Sequence, residues 1–323
     1  MLHQWLKFDH EKEIDWICTV LRQTLKRFRR RGYVIGVSGG IDSSVSLALC
    51  IRAIGKERVL SLQMPERHSA KETDTLSNLL IEKSNVNSIT EPITGILEAV
   101  GFYERYNKSV CDVIPKYGPG WSSKITISNI FEKKGFTFFT LVVQSPTGEI
   151  FKKRLPAKIY LEIIAATNFK QRIRKMLEYY HADRINYAVV GTPNRLEYDQ
   201  GFFVKNGDGS ADIKPIAHLY KSQVYALAGH LEIPKEICTR PPTTDTYSML
   251  QGQDEFYFSL PYEQMDICLF GKNNGYTPDA VAEATGLTIE QIIIIFKDID
   301  TKRSTTQYLH TRPVLTGDIS EIK

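Results

Sequence analysis

Gly36-Val37-Ser38-Gly39-Gly40-Ile41-Asp42-Ser43-Ser44 decides how this chain folds and what it can hold. The apolar run before it, Tyr33-Val34-Ile35, predicts a buried strand. The run after it, Val45-Ser46-Leu47-Ala48-Leu49-Cys50-Ile51, predicts a helix. A small glycine-containing turn between strand and helix leaves bare backbone N–H groups at a helix N-terminus, where they can hold an anion. Ser38, Ser43 and Ser44 add hydroxyl donors, and Gly39 and Gly40 let a phosphate approach the backbone closely. Asp42 would repel a bare anion. A carboxylate there makes sense if it holds a divalent cation that neutralises phosphates. The expectation is a site for pyrophosphate plus metal; the plainer alternative is a Gly-Ser turn with an N-capping aspartate.

Two other phosphate loops are excluded. The GxxxxGK[ST] loop needs a lysine, and none follows Gly40. The GxGxxG dinucleotide fingerprint fails because these glycines are adjacent and a carboxylate sits inside the turn. What remains, SGGxDS, resembles the pyrophosphate loop of the ATP pyrophosphatases. That resemblance implies cleavage of ATP between its α- and β-phosphates and transfer of AMP to a substrate oxygen.

Outward from the loop, strand and helix alternate. Residues 11–30 show helical spacing (Ile14, Ile17, Cys18, Leu21, Leu25, Phe28) and end in Arg29-Arg30-Arg31-Gly32, a charge run suited to a helix C-terminus. Arg58–Leu62 predicts a second strand, 71–83 a helix, 157–180 a longer helix and Tyr187–Val190 a short strand. This alternation predicts an α/β fold, a doubly wound parallel sheet with flanking helices and its ligands at the carboxyl ends of the strands. Residues 102–160 break the rhythm. An irregular aromatic segment (Tyr103, Tyr106, Tyr117, Trp121) leads into strands at 124–128, 136–143 and 150–155, a small β-rich insertion in one domain spanning 1–323.

Composition sets the outer bounds. The 323 residues are 42% hydrophobic and 24% charged, ordinary for a soluble globular protein. A net charge of +4 is too small to argue for nucleic acid. Five scattered cysteines without a CxxC pair suggest reduced thiols in the cytoplasm, with neither a disulfide frame nor a zinc site. The N-terminus lacks the apolar core of a signal peptide, and the longest apolar run, Ile292–Phe296, is far too short to span a bilayer.

Five polar clusters crowd the second half: Gly191-Thr192-Pro193-Asn194-Arg195-Leu196-Glu197, Gly201–Asp208, Asp212–Ile216, Leu219–Val224 and Pro241-Pro242-Thr243-Thr244-Asp245. Singly, each residue has a bland explanation: a turn cap at Thr192, turn chemistry at Asp208, solvated lysines at Lys205 and Lys221. Together, in this order, GTxNRxE, GxFxKxGDxxxDixPI, LYKxQVxxLA and PPTxD resemble the NAD synthetase family, over 30–100 and 160–310. The resemblance implies an adenine nucleotide α-hydrolase-like fold, ligase activity on deamido-NAD with ATP, and a homodimer. It implies that loop 36–44, Thr192, Lys221 and Thr243 contact ATP, and that Asp42 and Glu197 hold magnesium. It further implies that Arg172, Lys205, Asp212 and Lys302 contact deamido-NAD, and that Asp208 organises metal or incoming ammonia.

The residue types fit that chemistry. A carboxylate is a poor electrophile and must first be adenylated; the pyrophosphate expelled needs cationic compensation, for which Lys221 is the best candidate. Departures from the family pattern are Gln63 where many members carry an arginine, with Arg67 as the candidate replacement, Gln171 beside Arg172, and Thr301 before Lys302. With only a short tail before residue 11, no glutaminase domain is expected and free ammonia is the expected nitrogen donor. The insertion is expected to lid the site, enlarge a dimer contact or dock an ammonia-delivering partner. Two competing classes remain: another adenylating amide ligase or pyrophosphatase with a different substrate, and a DNA-binding protein with a helix-turn-helix at 277–290. The would-be recognition helix, 289–296, is acidic and apolar where a basic one is required, so packing in a C-terminal helical arm accounts for it better.

Overall fold

The computed structural model describes residues 2–127, 131, 138–243, 246–249, 251–252, 257–317, 319 and 321. Its centre is a four-stranded parallel sheet of β1 (Tyr33–Gly36), β2 (Val59–Gln63), β3 (Asn87–Thr90) and β7 (Ala188–Val190), in the order β3-β2-β1-β7. β1, β2 and β7 are mainly apolar and buried, as parallel strands covered on both faces are, whereas the edge strand β3 is polar and largely exposed. Alternation splits β1 between two cores. Tyr33 and Ile35 face α1 (His10–Phe28), α2 (Ile41–Ile54) and α8 (Lys221–His230), joined by Leu76 and Leu80 of α3 (Lys71–Ser84). Val34 faces the other way, with Leu60, Leu62 and Val189, toward α5 (Phe102–Val113) and α6 (Ala157–Ile185).

The interruption after β3 is only partly β. Residues 102–113, expected to be irregular, form α5, because Phe102, Tyr103, Tyr106, Val110 and Val113 recur on one helical face and are all buried. A short helix, α4 (Thr94–Ala99), precedes it. The antiparallel sheet comprises β4 (Ser122–Ile127), β5 (Phe139–Gln144) and β6 (Ile150–Arg154), in the order β4-β5-β6. The parts of the expected strands at 128 and 136–137 lie outside the described residues. Ile125, Leu141 and Val143 bury one face of this sheet in the second core. α6 runs five residues beyond its expected end, to Ile185, where Asn186 adopts a left-handed conformation and closes it.

A third core joins α7 (Arg195–Gln200) to the C-terminal arm of α10 (Tyr262–Asn273), α11 (Pro278–Thr285) and α12 (Ile289–His310). Ile292, Ile295 and Ile299 of α12 are fully buried in it, so the helix-turn-helix-like stretch is used for packing. A five-residue helix, α9 (Lys235–Thr239), links α8 to the segment containing Thr243. Among the described residues no helix is long and apolar enough to cross a membrane, and all five cysteines are free.

Candidate functional site

The loop between β1 and α2 is as short as the sequence implies, leaving only Val37–Gly40 between the elements. The Val37 N–H donates to the Leu62 carbonyl at 2.8 Å and fastens the loop to β2. Gly39 has φ +69°, and a Cβ there would come within 2.8 Å of Leu76 Cβ and 2.9 Å of the Ser77 nitrogen. Close packing against α3 therefore requires this glycine whether or not a phosphate is bound. Gly40 is the N-cap of α2 with no side-chain hydrogen bond, so the first-turn N–H groups have no side-chain cap. The Ser43 and Ser44 hydroxyls turn back to the Gly40 carbonyl, at 3.0 and 2.8 Å. Ser44 is fully buried and does not line the cleft, which corrects its expected part as a ligand donor; Ser38 and Ser43 do line it.

Asp42, in the first turn of α2, is the hub of a charged cluster. Its Oδ2 pairs with Lys221 Nζ, and its Oδ1 accepts from Asn194 Nδ2 at 3.2 Å. Asn194 also N-caps α7 in a reciprocal box: the Glu197 N–H donates to Asn194 Oδ1 at 3.3 Å, and the Asn194 N–H to Glu197 Oε2 at 3.2 Å. Lys221 is 2% exposed and opens α8. Burial pulls its ammonium down, but Asp42 and Glu197 outweigh that and hold it above the ordinary lysine value. Behind it Asp266 of α10, completely buried, accepts from the Lys221 and Ser222 N–H groups at 3.2 and 2.7 Å and from Ser222 Oγ at 2.6 Å. A carboxylate from another helix thus caps α8. Burial pushes that carboxyl up to about 7, against these hydrogen bonds.

Around this cluster opens a cleft of about 440 Å³ at the carboxyl ends of β1, β2 and β7, lined by Gly36 to Ser43, Thr192, Glu197, Asp208, Lys221 and Thr243. Asp208 accepts the Val204 N–H at 2.7 Å, and burial pushes its carboxyl up. The sequence reading missed the wall made by α6. Thr167, Lys170, Arg174, Lys175 and Glu178 all line the cleft, and their three- and four-residue spacing was the available signal. Lys170, 2% exposed, donates to Glu66 Oε1 at 2.6 Å and to the Thr246 carbonyl at 3.1 Å. Tyr103 donates to the other Glu66 oxygen at 2.8 Å. Burial would raise Glu66, but Lys170 outweighs it and holds the carboxyl below its usual value. Asn194 was missed too; Asn194-x-x-Glu197 is a legible capping box.

The inserted sheet reaches this cleft indirectly. The outer edge of β4 holds the segment after Thr243: Ser123 N–H donates to Ser248 Oγ at 2.9 Å, Met249 N–H to the Ser123 carbonyl at 3.1 Å, and Gln251 Nε2 to the Ile125 carbonyl. Thr243 bridges Gly252 within the same segment, and both Thr243 and Thr246 line the cleft. Thr244 and Asp245 of the PPTxD motif lie outside the described residues.

The NAD synthase family matches residues 13–113 and 127–308. The NH(3)-dependent NAD(+) synthetase of Rhizobium meliloti is 56% identical over 318 residues, covering 98% of this chain and 95% of that one. This chain belongs to the NAD synthase family. It is a ligase of that family. Two solved structures share the fold. NMN synthetase from Francisella tularensis has a TM-score of 0.67 at 20% identity, covering 97% of this chain and 100% of its own. NH3-dependent NAD synthetase from Campylobacter jejuni has a TM-score of 0.63 at 22% identity, covering 96% and 100%.

Four residues that the NAD synthase resemblance assigns to the acceptor do not line the cleft. Arg172 is exposed on α6 and donates through Nε to the Lys205 carbonyl at 3.3 Å. Lys205 Nζ donates to the Tyr308 carbonyl at 2.8 Å, near the end of α12. Asp212 accepts the Val189 N–H at 2.7 Å and so latches the edge strand β7. Lys302 is enclosed: its Nζ donates to the Tyr257 carbonyl at 2.7 Å and pairs with Asp298 at 2.6 Å, and burial holds it below the ordinary lysine value. Tyr257, not Lys302, lines the cleft. Arg67 does not replace the missing arginine, since it pairs with Glu98 and lies 4.3 Å from the Tyr103 ring centroid. Gln63 stays at the cleft and donates to Ser77 Oγ and Asn78 Oδ1, at 2.8 and 2.7 Å.

Proposed function

We propose that this cleft amidates deamido-NAD to NAD with ammonia, through an acyl adenylate, releasing AMP and pyrophosphate. The observation that carries this reading is the Lys221–Asp42–Asn194–Glu197 cluster at the uncapped N-terminus of α2. In the first step a carboxylate oxygen of the acceptor attacks the α-phosphorus of ATP. The bond from that phosphorus to the bridging oxygen of the β-phosphate breaks, and the electron pair leaves with pyrophosphate. Backbone N–H groups of the loop, Ser38 and Ser43 receive the phosphate oxygens, and Thr192 and Thr243 add hydroxyls at the cleft wall. The Lys221 ammonium, held charged by its carboxylates, offsets the leaving charge. In the second step ammonia attacks the acyl carbon and AMP departs with the bridging oxygen. Asp208, whose buried carboxyl favours binding a proton, is the group assigned to orient ammonia and take the proton released.

The donor set also fits magnesium. Asp42 and Glu197 present hard carboxylate oxygens on either side of Asn194, and magnesium is commonly held by one or two carboxylates with substrate phosphates and water. Bound there, it would supply Lewis-acid stabilisation of phosphate charge. Asp42 and Glu197 would hold it, and Lys221, already paired with Asp42, would add its own positive charge beside the nucleotide.

The acceptor contacts are assigned to Arg172, Lys205 and Asp212, with Lys302 acting through Tyr257. Because these lie outside the cleft of one chain, the reading includes a homodimer that completes the acceptor site. Leu161, Met176 and Tyr180, exposed by 63%, 56% and 60% on the same helix as Arg172, support a partner surface on α6. The chain is taken to act in the cytoplasm as a single domain, with free ammonia as donor and the inserted sheet serving the cleft. Incubation with ATP, magnesium, ammonium and deamido-NAD tests the reading. NAD, AMP and pyrophosphate in equal amounts are expected; ADP and phosphate would contradict the loop assignment, and turnover of nicotinate mononucleotide in preference would redirect the acceptor.

A further inference from the structure

Two charged side chains in the cleft wall take no part in the steps above. Lys175 and Glu178 of α6 are 6% and 9% exposed at their side chains and are joined at 2.5 Å, Lys175 Nζ to Glu178 Oε2. Burying such a pair costs several kcal/mol unless its remaining polar atoms are satisfied. The other oxygen, Oε1, receives no hydrogen bond among the described residues. It lies over the end of β1, where a Cβ added to Gly36 would come within 2.9 Å of it. Both Gly36 and Glu178 line the cleft. A side chain at position 36 would fill the space in front of this oxygen, so the glycine keeps it open.

What can approach Oε1 is limited by its neighbours. An anion at Oε1 is repelled by the carboxylate's own charge. A neutral hydroxyl donor suits an acceptor-only oxygen whose twin already has its counter-charge. Position narrows the choice. Ser38, the first hydroxyl of the phosphate loop, is two residues from Gly36, about 7 Å of extended chain. Met64 Cε, 3.2 Å from the same built Cβ, offers apolar surface beside the carboxylate. A hydroxyl-bearing sugar between phosphates at Ser38 and a base at Met64 meets all three features.

We propose that Glu178, held by Lys175, binds the ribose hydroxyls of ATP and selects ribonucleotide over deoxyribonucleotide. This rests on ATP as the substrate of the cleft and adds the residue that reads its sugar. The test is equilibrium binding of ATP, 2′-deoxy-ATP and 3′-deoxy-ATP to wild type and to Glu178→Ala, with kcat/KM for each nucleotide alongside. Wild type is expected to favour ATP over at least one deoxy analogue by on the order of ten- to a hundredfold, the effect of one hydrogen bond to a charged group. Glu178→Ala is expected to weaken ATP binding by a similar factor and to bring the analogues level with it. A double variant, Lys175→Met with Glu178→Gln, removes both buried charges, guards against misfolding and is expected to keep only part of the preference. A wild type that binds all three equally, or a Glu178→Ala that keeps the wild-type preference, overturns the proposal, including where the variant instead raises KM for deamido-NAD or ammonium. Because binding is read without turnover, this outcome is separable from failure to make NAD.

Discussion

The loop at 36–44 and the inserted sheet at 122–154 bear on the same cleft by different physical routes. The loop is local: four residues between a strand and a helix, together with that helix's first turn, bring N–H groups, hydroxyls and one carboxylate to the cleft. The sheet acts at a distance, through hydrogen bonds between its outer edge and Ser248, Met249 and Gln251, in the segment that also carries Thr243 and Thr246 of the cleft wall. Chemistry therefore resides in short-range geometry, and shape in long-range pairing. Loss of the first should remove the reaction; loss of the second should loosen binding and leave the reaction intact.

The largest effect is expected at Asp42. Asp42→Ala should abolish acyl-adenylate formation while far-ultraviolet circular dichroism stays native; full activity would remove Asp42 from the phosphate site. Lys221→Met should lower kcat by on the order of 10²–10³, the usual effect of losing one group that stabilises developing charge. A loss confined to KM would mean that Lys221 binds ATP equally in ground and transition states. Asp266→Ala removes the cap of α8 from behind and should cost about 1–2 kcal/mol of stability, read by urea denaturation, together with a fall in kcat. Unchanged kcat would uncouple the C-terminal arm from Lys221.

On the side of the sheet, Gln251→Ala should raise KM for ATP by about fivefold, matching one net hydrogen bond, with kcat nearly unchanged. A collapse of kcat would mean that the sheet takes part in the chemistry. The smallest effect concerns acid stability near Glu66. His68, its ring 5.3 Å from that of Tyr103, is pushed down to about 4 by burial, from 6.5. The unfolded chain then binds the extra proton between these values, so stability present above pH 6.5 should fall as pH drops toward 4. His68→Asn should flatten that part of a denaturation-versus-pH curve.

Legibility in the sequence follows the same division. β1, the loop and α2 could be read because each signal lies within a few neighbouring residues, and the parallel sheet followed from the alternation of elements. Residues 102–113 were misread because tyrosines have weak helix propensity and their helical spacing emerges only when all six buried positions, Ser109 included, are counted together. In the sheet, β6 is largely exposed and rich in lysine, so its place depends on pairing with β5, which local pattern does not encode. Within the site, Asp42, Glu197 and Lys221 lie in one cluster, Asp42 and Glu197 joined through Asn194. Lys170, Lys175 and Glu178 were hidden because α6 buries charges where a core helix ordinarily buries leucines. Arg172, Lys205 and Asp212 carry a motif resemblance, yet within one chain their polar atoms bond to backbone or face outward.

The central claim is that this cleft activates the acceptor carboxylate as an adenylate before nitrogen arrives. Exchange of labelled pyrophosphate into ATP, measured with magnesium and deamido-NAD but without ammonium, tests it most directly. The account predicts exchange that requires deamido-NAD and is lost in Lys221→Met. Exchange that proceeds without deamido-NAD, or its absence in a protein that makes NAD once ammonium is added, would contradict it.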